Sequence, residues 1–172
     1  LLEDGRLQEL IKEKGDDSFS VGDVYLGTVK KLATSLNAAF VDVGYEKDAF
    51  LHYNDLGPQI KSWQTYLRRT LKGKQLSNIT NFKAEPNIEK DGNIGDVLKQ
   101  GDQILVQITK EPISTKGPRI TAELSIAGRF VVLVPFSNRV SVSQKIRERE
   151  EKDRLKKLVR SIKPKGFGVI IR

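Results

Sequence analysis

Residues 35–52 read SLNAAFVDVGYEKDAFLH. Two runs in and around this stretch, Ala38 to Gly44 and Asp48 to Tyr53, are short, rich in β-branched and aromatic residues, and bounded by Gly, Asn or Asp. That is the chemistry of strands closed by turns. Successive side chains of a strand point to opposite faces. Ala39, Val41 and Val43 therefore share one face, and Phe40, Asp42 and Gly44 the other. The apolar trio is the core face. Phe40 is left on the outer face beside a carboxylate, an odd place for a phenylalanine whose only task is packing.

Working outward, Val21 to Lys31, Gln103 to Lys110 and Arg119 to Leu124 read as three further strands. In the second of these, Ile104, Val106 and Ile108 alternate with polar residues, the pattern of a half-buried strand. Lys116-Gly117-Pro118 is a turn. Five strands between about Val21 and Leu124, with one long connection, predict a small Greek-key barrel of the OB type. The connection is 57–92, where the apolar pattern fails and seven Lys/Arg face three acids. Loops of this length inside a compact domain are functional or disordered. The segment reads as a solvated insertion or a basic arm that touches RNA, with a short helix over Ser62 to Leu71.

The flanks do not belong to that barrel. Residues 1–13 read as a hairpin turning at Asp4-Gly5, since Asp-Gly favours a tight turn, and Gly15-Asp16-Asp17 as a loop. Phe130 to Pro135 (FVVLVP) is a continuous apolar run, as in a strand covered on both faces. Lys145 to Lys163 is a helix, with Leu155, Leu158, Val159 and Ile162 repeating at helical spacing and Pro164 as its stop. Gly166 to Arg172 begins another strand. The fold class expected is α+β: a five-stranded OB barrel, residues 21–124, inserted in a split mixed α/β unit made of 1–20 and 125–172. The chain begins at Leu1 without a methionine and ends in the strand-like VIIR, so both ends are expected to be cut and the α/β unit to be incomplete at its C-terminus.

The 172 residues carry a formal net charge of +8, a pI near 9.6 and no cysteine. The charge favours polyanions, and the lack of cysteine excludes disulfides and thiolate metal sites. With no apolar run near membrane length and no leader, a soluble, cytoplasmic protein with no membrane partner is expected. Asp16, Asp17, Asp96 and Asp102 are loop acids without convergent partners, and no Gly-rich phosphate loop is present. Aromatic rings on strands among cations suit single-stranded nucleic acid, because bases stack and phosphates pair. Candidate contacts are Phe40, Phe50 and His52 for bases, and Lys30, Lys31, Lys110, Lys116 and Arg119 for phosphates, each neutralised phosphate releasing counterions.

The run VYLGTVKKLATSLNAAFVDVGYEKDAFLHYNDL (Val24 to Leu56) resembles the S1-type RNA-binding domain of the bacterial ribonuclease E/G endonucleases. The runs NIGDVLKQGDQILVQITKEPISTKGPRIT (Asn93 to Thr121), SIAGRFVVLVP (Ser125 to Pro135) and KGFGVIIR (Lys165 to Arg172) agree in order and spacing. Only Gly57 to Gly92, longer than usual in relatives, lacks a counterpart. The resemblance implies an S1 barrel inserted in an RNase H-like subdomain, stacking of RNA on Phe40 and Phe50, contact at Lys116 in its turn, and His52 on the binding face. It implies a sensor for a 5′-monophosphate end built from Gly128, Val132 and Arg172, completed by a threonine that would follow Arg172. It places catalysis in a later nuclease domain, where an aspartate pair holds magnesium and a cysteine motif shares zinc between subunits. No catalytic residue and no cofactor is therefore expected within this fragment, and the full-length protein is expected to be a homo-oligomer acting in RNA processing and mRNA decay. Two other readings stand beside it: a stand-alone S1-type RNA-binding module without nuclease activity, and a basic structural protein on anionic surfaces. A mixed α/β flank favours the nuclease, since a simple module has no need of a split host domain. The helix 145–163 carries nine Lys/Arg and four acids, a solvated face or a basic rim in which Gln144, Lys145 and Arg147 lie nearest the sensor.

Overall fold

The structure is a computed structural model and describes residues 2–3, 6–7, 19–74 and 79–172. Strands β1 (Leu2–Glu3) and β2 (Arg6–Leu7) pair antiparallel, and the Asp4-Gly5 turn expected between them lies outside the described residues. The rest of the second strand expected in 1–13, and the 15–17 loop, lie outside the described residues.

Five strands close a barrel in the order β3-β4-β5-β7-β6, with β3 at Val24–Ala33, β4 at Ala38–Asp42, β5 at Ala49–His52, β6 at Gln103–Lys110 and β7 at Arg119–Thr121. All neighbours are antiparallel except β5 and β7. This is the OB fold, and with the mixed α/β region it makes the chain α+β. β3 pairs with β6 through residues 24–28 and with β4 through residues 28–33. Its register shifts between Val29 and Lys31, so Lys30 is an extra residue against β4, and a bulge sharpens local twist. The alternation read from the sequence holds: Ala39, Val41 and Val43 are buried with Val29, Leu51, Ile104, Val106, Ile108 and Ile120 in one core. Fully burying such a side chain is worth about 1.5–3 kcal/mol.

The 57–92 segment is a built part of the fold. Helix α1 runs from Ile60 to Leu71, and α2, a single turn, from Ile94 to Val97. Ile60 and Leu56 join the barrel core, and Leu67 is also buried. Buried Ser62 uses its Oγ to accept from the Glu85 N–H at 2.9 Å, and the Tyr53 hydroxyl donates to the Glu89 carbonyl at 2.6 Å. Asn37, at φ +47°, donates from its amide to the Gly92 carbonyl and accepts from the Ile94 N–H. A left-handed Asn, a conformation this residue tolerates, thus ties the far end of the segment to the barrel. The sequence reading placed a helix here but not its packing, because the anchoring groups are scattered singly among polar residues.

Beyond the barrel a four-stranded sheet has the order β10-β11-β9-β8, with β8 at Ile126–Ala127, β9 at Val131–Pro135, β10 at Val140–Val142 and β11 at Phe167–Ile171. β10 and β11 run parallel and the other pairs antiparallel. Helix α3 (Arg149–Ile162) packs Val159 and Leu155 on Val169, Ile171, Val131 and Leu133. It starts four residues later than the 145–163 reading, with Glu148 as N-cap, and stops before Pro164 as expected. One expectation needs correcting. β9 is half-buried along Val131–Val134, not sealed on both faces, and Phe130 is 69% exposed. The α3 side of the sheet is the one that carries the core, and a run of valines cannot report that a strand is covered on one side only.

Candidate nucleic-acid interface

β4 and β5 set Phe40 and Phe50 directly opposite each other. Paired residues in an antiparallel ladder project from the same face, so both rings stand outside the barrel. Their centroids lie 5.8 Å apart with planes at 69°, and both residues are half-buried. The bulge at Lys30 has a local consequence: it brings Lys31, rather than Lys30, into register with Phe40. Lys30 instead pairs with Asp42 at 3.1 Å. The Asp42 carboxyl is held below its ordinary value, first by the Gly44 N–H that donates to it at 2.9 Å and then by Lys30.

The two rings line a groove of about 520 Å³ together with Lys47, Asp48, Lys116 and Arg119. Lys116 closes a tight turn with Ile113: the Lys116 N–H donates to the Ile113 carbonyl at 3.0 Å and the Ile113 N–H to the Lys116 carbonyl at 3.2 Å, with Ser114 at φ +52°. Gly117 is required there: a Cβ would run into the backbone of Asp48 and Lys47. Phe50 N–H donates to the Pro118 carbonyl at 3.0 Å, which fixes this turn to β5. Arg119, in register with Phe50, donates through Nη2 to Asp55 Oδ2 at 2.8 Å. Its guanidinium is thereby aimed but partly neutralised.

His52 follows two residues after Phe50 on the same strand, and so on the same face. Its Nδ1 accepts from the Asn54 N–H at 3.1 Å. In the neutral ring Nε2 then carries the proton and is a donor. Lys110 is exposed at the end of β6, in register with Arg119. Sequence reading missed Lys47 and Asp48. Each is an ordinary charged residue of a turn, and only the closure of the barrel brings that turn against 115–119.

The second group of expected residues gathers at one corner of the other sheet. Val132 is in register with both Ala127 and Ile170, the Gly128 N–H donates to the Val131 carbonyl at 2.8 Å, and the Arg172 N–H to the Phe130 carbonyl at 2.9 Å. The Gly128 N–H is thus already engaged, while Arg172 is exposed. Among the described residues no three His, Cys, Asp or Glu side chains converge to hold a metal ion, so no metal step is assigned to them. No helix among the described residues is long and apolar enough to cross a membrane.

The closed barrel is of the S1 RNA-binding class: the S1 RNA binding domain family matches residues 18–121. Residues 125–172 match the Ribonuclease E/G family. Ribonuclease E of Synechocystis is 38% identical over 97% of this chain and 21% of its own length. A Ribonuclease E/G-like protein of Porphyra purpurea is 37% identical over 98% of the chain and 28% of its own length. Ribonuclease G of Escherichia coli is 32% identical over 99% of the chain and 31% of its own length. The chain belongs to the ribonuclease E/G family and carries its S1 RNA-binding domain. It spans between a fifth and a third of the length of these relatives.

Proposed function

We propose that this chain is the RNA-binding, substrate-positioning part of a single-strand-specific endoribonuclease that acts in RNA processing and mRNA decay. The observation that carries it is the opposed Phe40–Phe50 pair at the mouth of a groove flanked by Lys47, Lys116 and Arg119. Unpaired bases stack on the rings, and Lys31, Lys110 and Lys116 neutralise the phosphates between them. His52 offers its Nε2 proton to a base edge or a phosphate oxygen. Lys30 contributes less, because Asp42 already holds it. Nothing in this arrangement reads a base sequence, so affinity comes from stacking and charge, and specificity is for single strands.

Gly128, Val132 and Arg172 form the edge of a 5′-monophosphate pocket in this reading. Arg172 supplies a planar donor fork suited to phosphate oxygens, and Gly128 lets the phosphate approach the main chain closely. Domain boundaries follow as proposed units: 21–124 for the barrel with its insertion, and 1–20 with 125–172 for the α/β part. Cleavage chemistry, its magnesium, a zinc site and homo-oligomer contacts are assigned to the remainder of the full-length protein, acting in the cytoplasm. The test is a titration of a short single-stranded RNA against rising salt, comparing this chain with the Phe40→Ala, Phe50→Ala double variant. The double variant should bind far more weakly while keeping its salt slope. Equal affinity in a folded double variant removes the stacking site.

A further inference from the structure

The 57–92 insertion does more than fold onto the barrel: it reaches the second sheet. Trp63 and Tyr66 of α1, Phe82 further along, and Phe136 just after β9 form one aromatic cluster. Phe136 lies 4.7 Å from Trp63, 5.6 Å from Tyr66 and 5.0 Å from Phe82. Gly166 closes against the same segment. At φ +82°, a conformation that favours glycine, it sits so near Ile79 that a Cβ would stand 3.4 Å from the Ile79 carbonyl oxygen.

Along this seam lies a cavity of about 310 Å³ whose lining includes Phe82, Phe136, Asn138, Lys163 and Lys165. Its chemistry is mixed in a particular way. Two half-buried rings form an apolar wall, an exposed amide offers both donor and acceptor, and two ammonium groups face them without an acid in the lining. Lys163 is held by its Nζ donating to the Phe167 carbonyl at 3.1 Å, which leaves further N–H donors, and Lys165 is exposed. Ring, amide and cation are the three groups that a nucleotide needs for base, base edge and phosphate.

We propose that this seam is a second nucleotide-binding subsite, which takes one base and its phosphate from an RNA strand. It is separate from the groove at Phe40 and Phe50, shares no residue with it, and joins the insertion to the segment after the barrel. It rests on RNA being the ligand of this chain. An acidic protein segment is the competing occupant, disfavoured because two aromatic walls and an amide suit a planar, hydrogen-bonding ring better than a carboxylate chain.

The chain carries its own reporter. Trp63 is the single tryptophan and packs on Phe136, a wall of the cavity. Titration of the Phe40→Ala, Phe50→Ala double variant with a pentanucleotide of adenosine should still change Trp63 emission, saturably. Lys165→Ala and Asn138→Ala, both at exposed positions, should weaken that response about threefold to tenfold, and Lys165→Ala should also lower its salt dependence by about one phosphate contact. A Trp63 signal that stays flat in the wild type, while the groove variants show that RNA binds at Phe40 and Phe50, overturns the subsite and leaves the main reading intact. An unchanged response in Lys165→Ala and Asn138→Ala overturns it as well. So does a response to polyglutamate with none to RNA, which would give the seam to a protein partner.

Discussion

Phe40 and Phe50 are an opposed cross-strand pair whose rings meet edge to face, 5.8 Å between centroids, on the outer surface of a closed barrel. In a hydrophobic core such a pair is packing. Here the core side of the same strands is already filled by Ala39, Val41, Ala49 and Leu51, and the outer pair lies outside that core. Removing either ring should therefore alter binding more than stability.

That contrast is measurable. Base–aromatic stacking is worth about 1–3 kcal/mol per base, so Phe40→Ala and Phe50→Ala should each weaken single-stranded RNA binding roughly tenfold or more. Urea midpoints should move far less than for a core truncation such as Leu51→Ala. Fluorescence anisotropy with a labelled oligonucleotide, beside urea melts, separates the two effects.

Ile60→Ala tests whether the insertion is integral. Ile60 is buried in the barrel core, and deleting such a side chain costs about 2–5 kcal/mol. A cooperative loss of stability of that order in urea unfolding is expected. A loss confined to a few tenths of a kcal/mol would make 57–92 an appendage instead.

Gly117→Ala should harm both stability and RNA affinity. The added methyl group meets the Asp48 and Lys47 backbone, and forcing such an overlap costs about 1–3 kcal/mol. Relief of that strain displaces the turn that carries Lys116. Neighbouring Lys116→Ala should lower affinity and salt slope while leaving the melting temperature near the wild-type value.

The acid limb of stability has a local contributor in Asp42. Its carboxyl titrates below the ordinary 3.8 in the folded state, through Gly44 N–H first and Lys30 second. A depressed carboxylate stabilises the fold at pH above its unfolded value, and that stabilisation is lost as pH falls through the folded value. The carboxylate side chain is 39% exposed, so water screens the interaction and the effect is small. Thermal melts between neutral pH and pH 2.5 should show a shallower acid decline for Asp42→Asn than for the wild type, with no difference in slope above pH 5.

In the full-length protein, RNA with a 5′-monophosphate should outcompete the same RNA with a 5′-hydroxyl, and Arg172→Lys should lose most of that preference. A lysine keeps the charge but not the paired donors. Equal competition by the two RNAs in the wild-type protein would remove the sensor.

How much of this was legible beforehand follows from the range of each interaction. Strand composition, bounding turn residues and alternation are local signals; together they mark the barrel strands, and alternation sets the Ala39–Val41–Val43 core face and the outward Phe40. The helix stop at Pro164 is local too, because proline restricts the residue before it. The single-sided cover of β9 was not legible, since a run of valines looks the same whether one face or two is packed.

The amino-acid order by itself determined the two-residue rhythm around Phe40 and around Val106, with Phe40 turned outward, because such a pattern depends only on neighbours a few positions apart, and the composition alone set the cationic surplus. Tertiary structure decided that Lys31 rather than Lys30 faces Phe40, that Lys47 and Asp48 join the Lys116 turn, and that Trp63 meets Phe136. These are contacts between distant parts of the chain, created by a bulge, by barrel closure and by the docking of a helix. No periodicity in the sequence encodes them, because they arise only when the strands have already been brought into register.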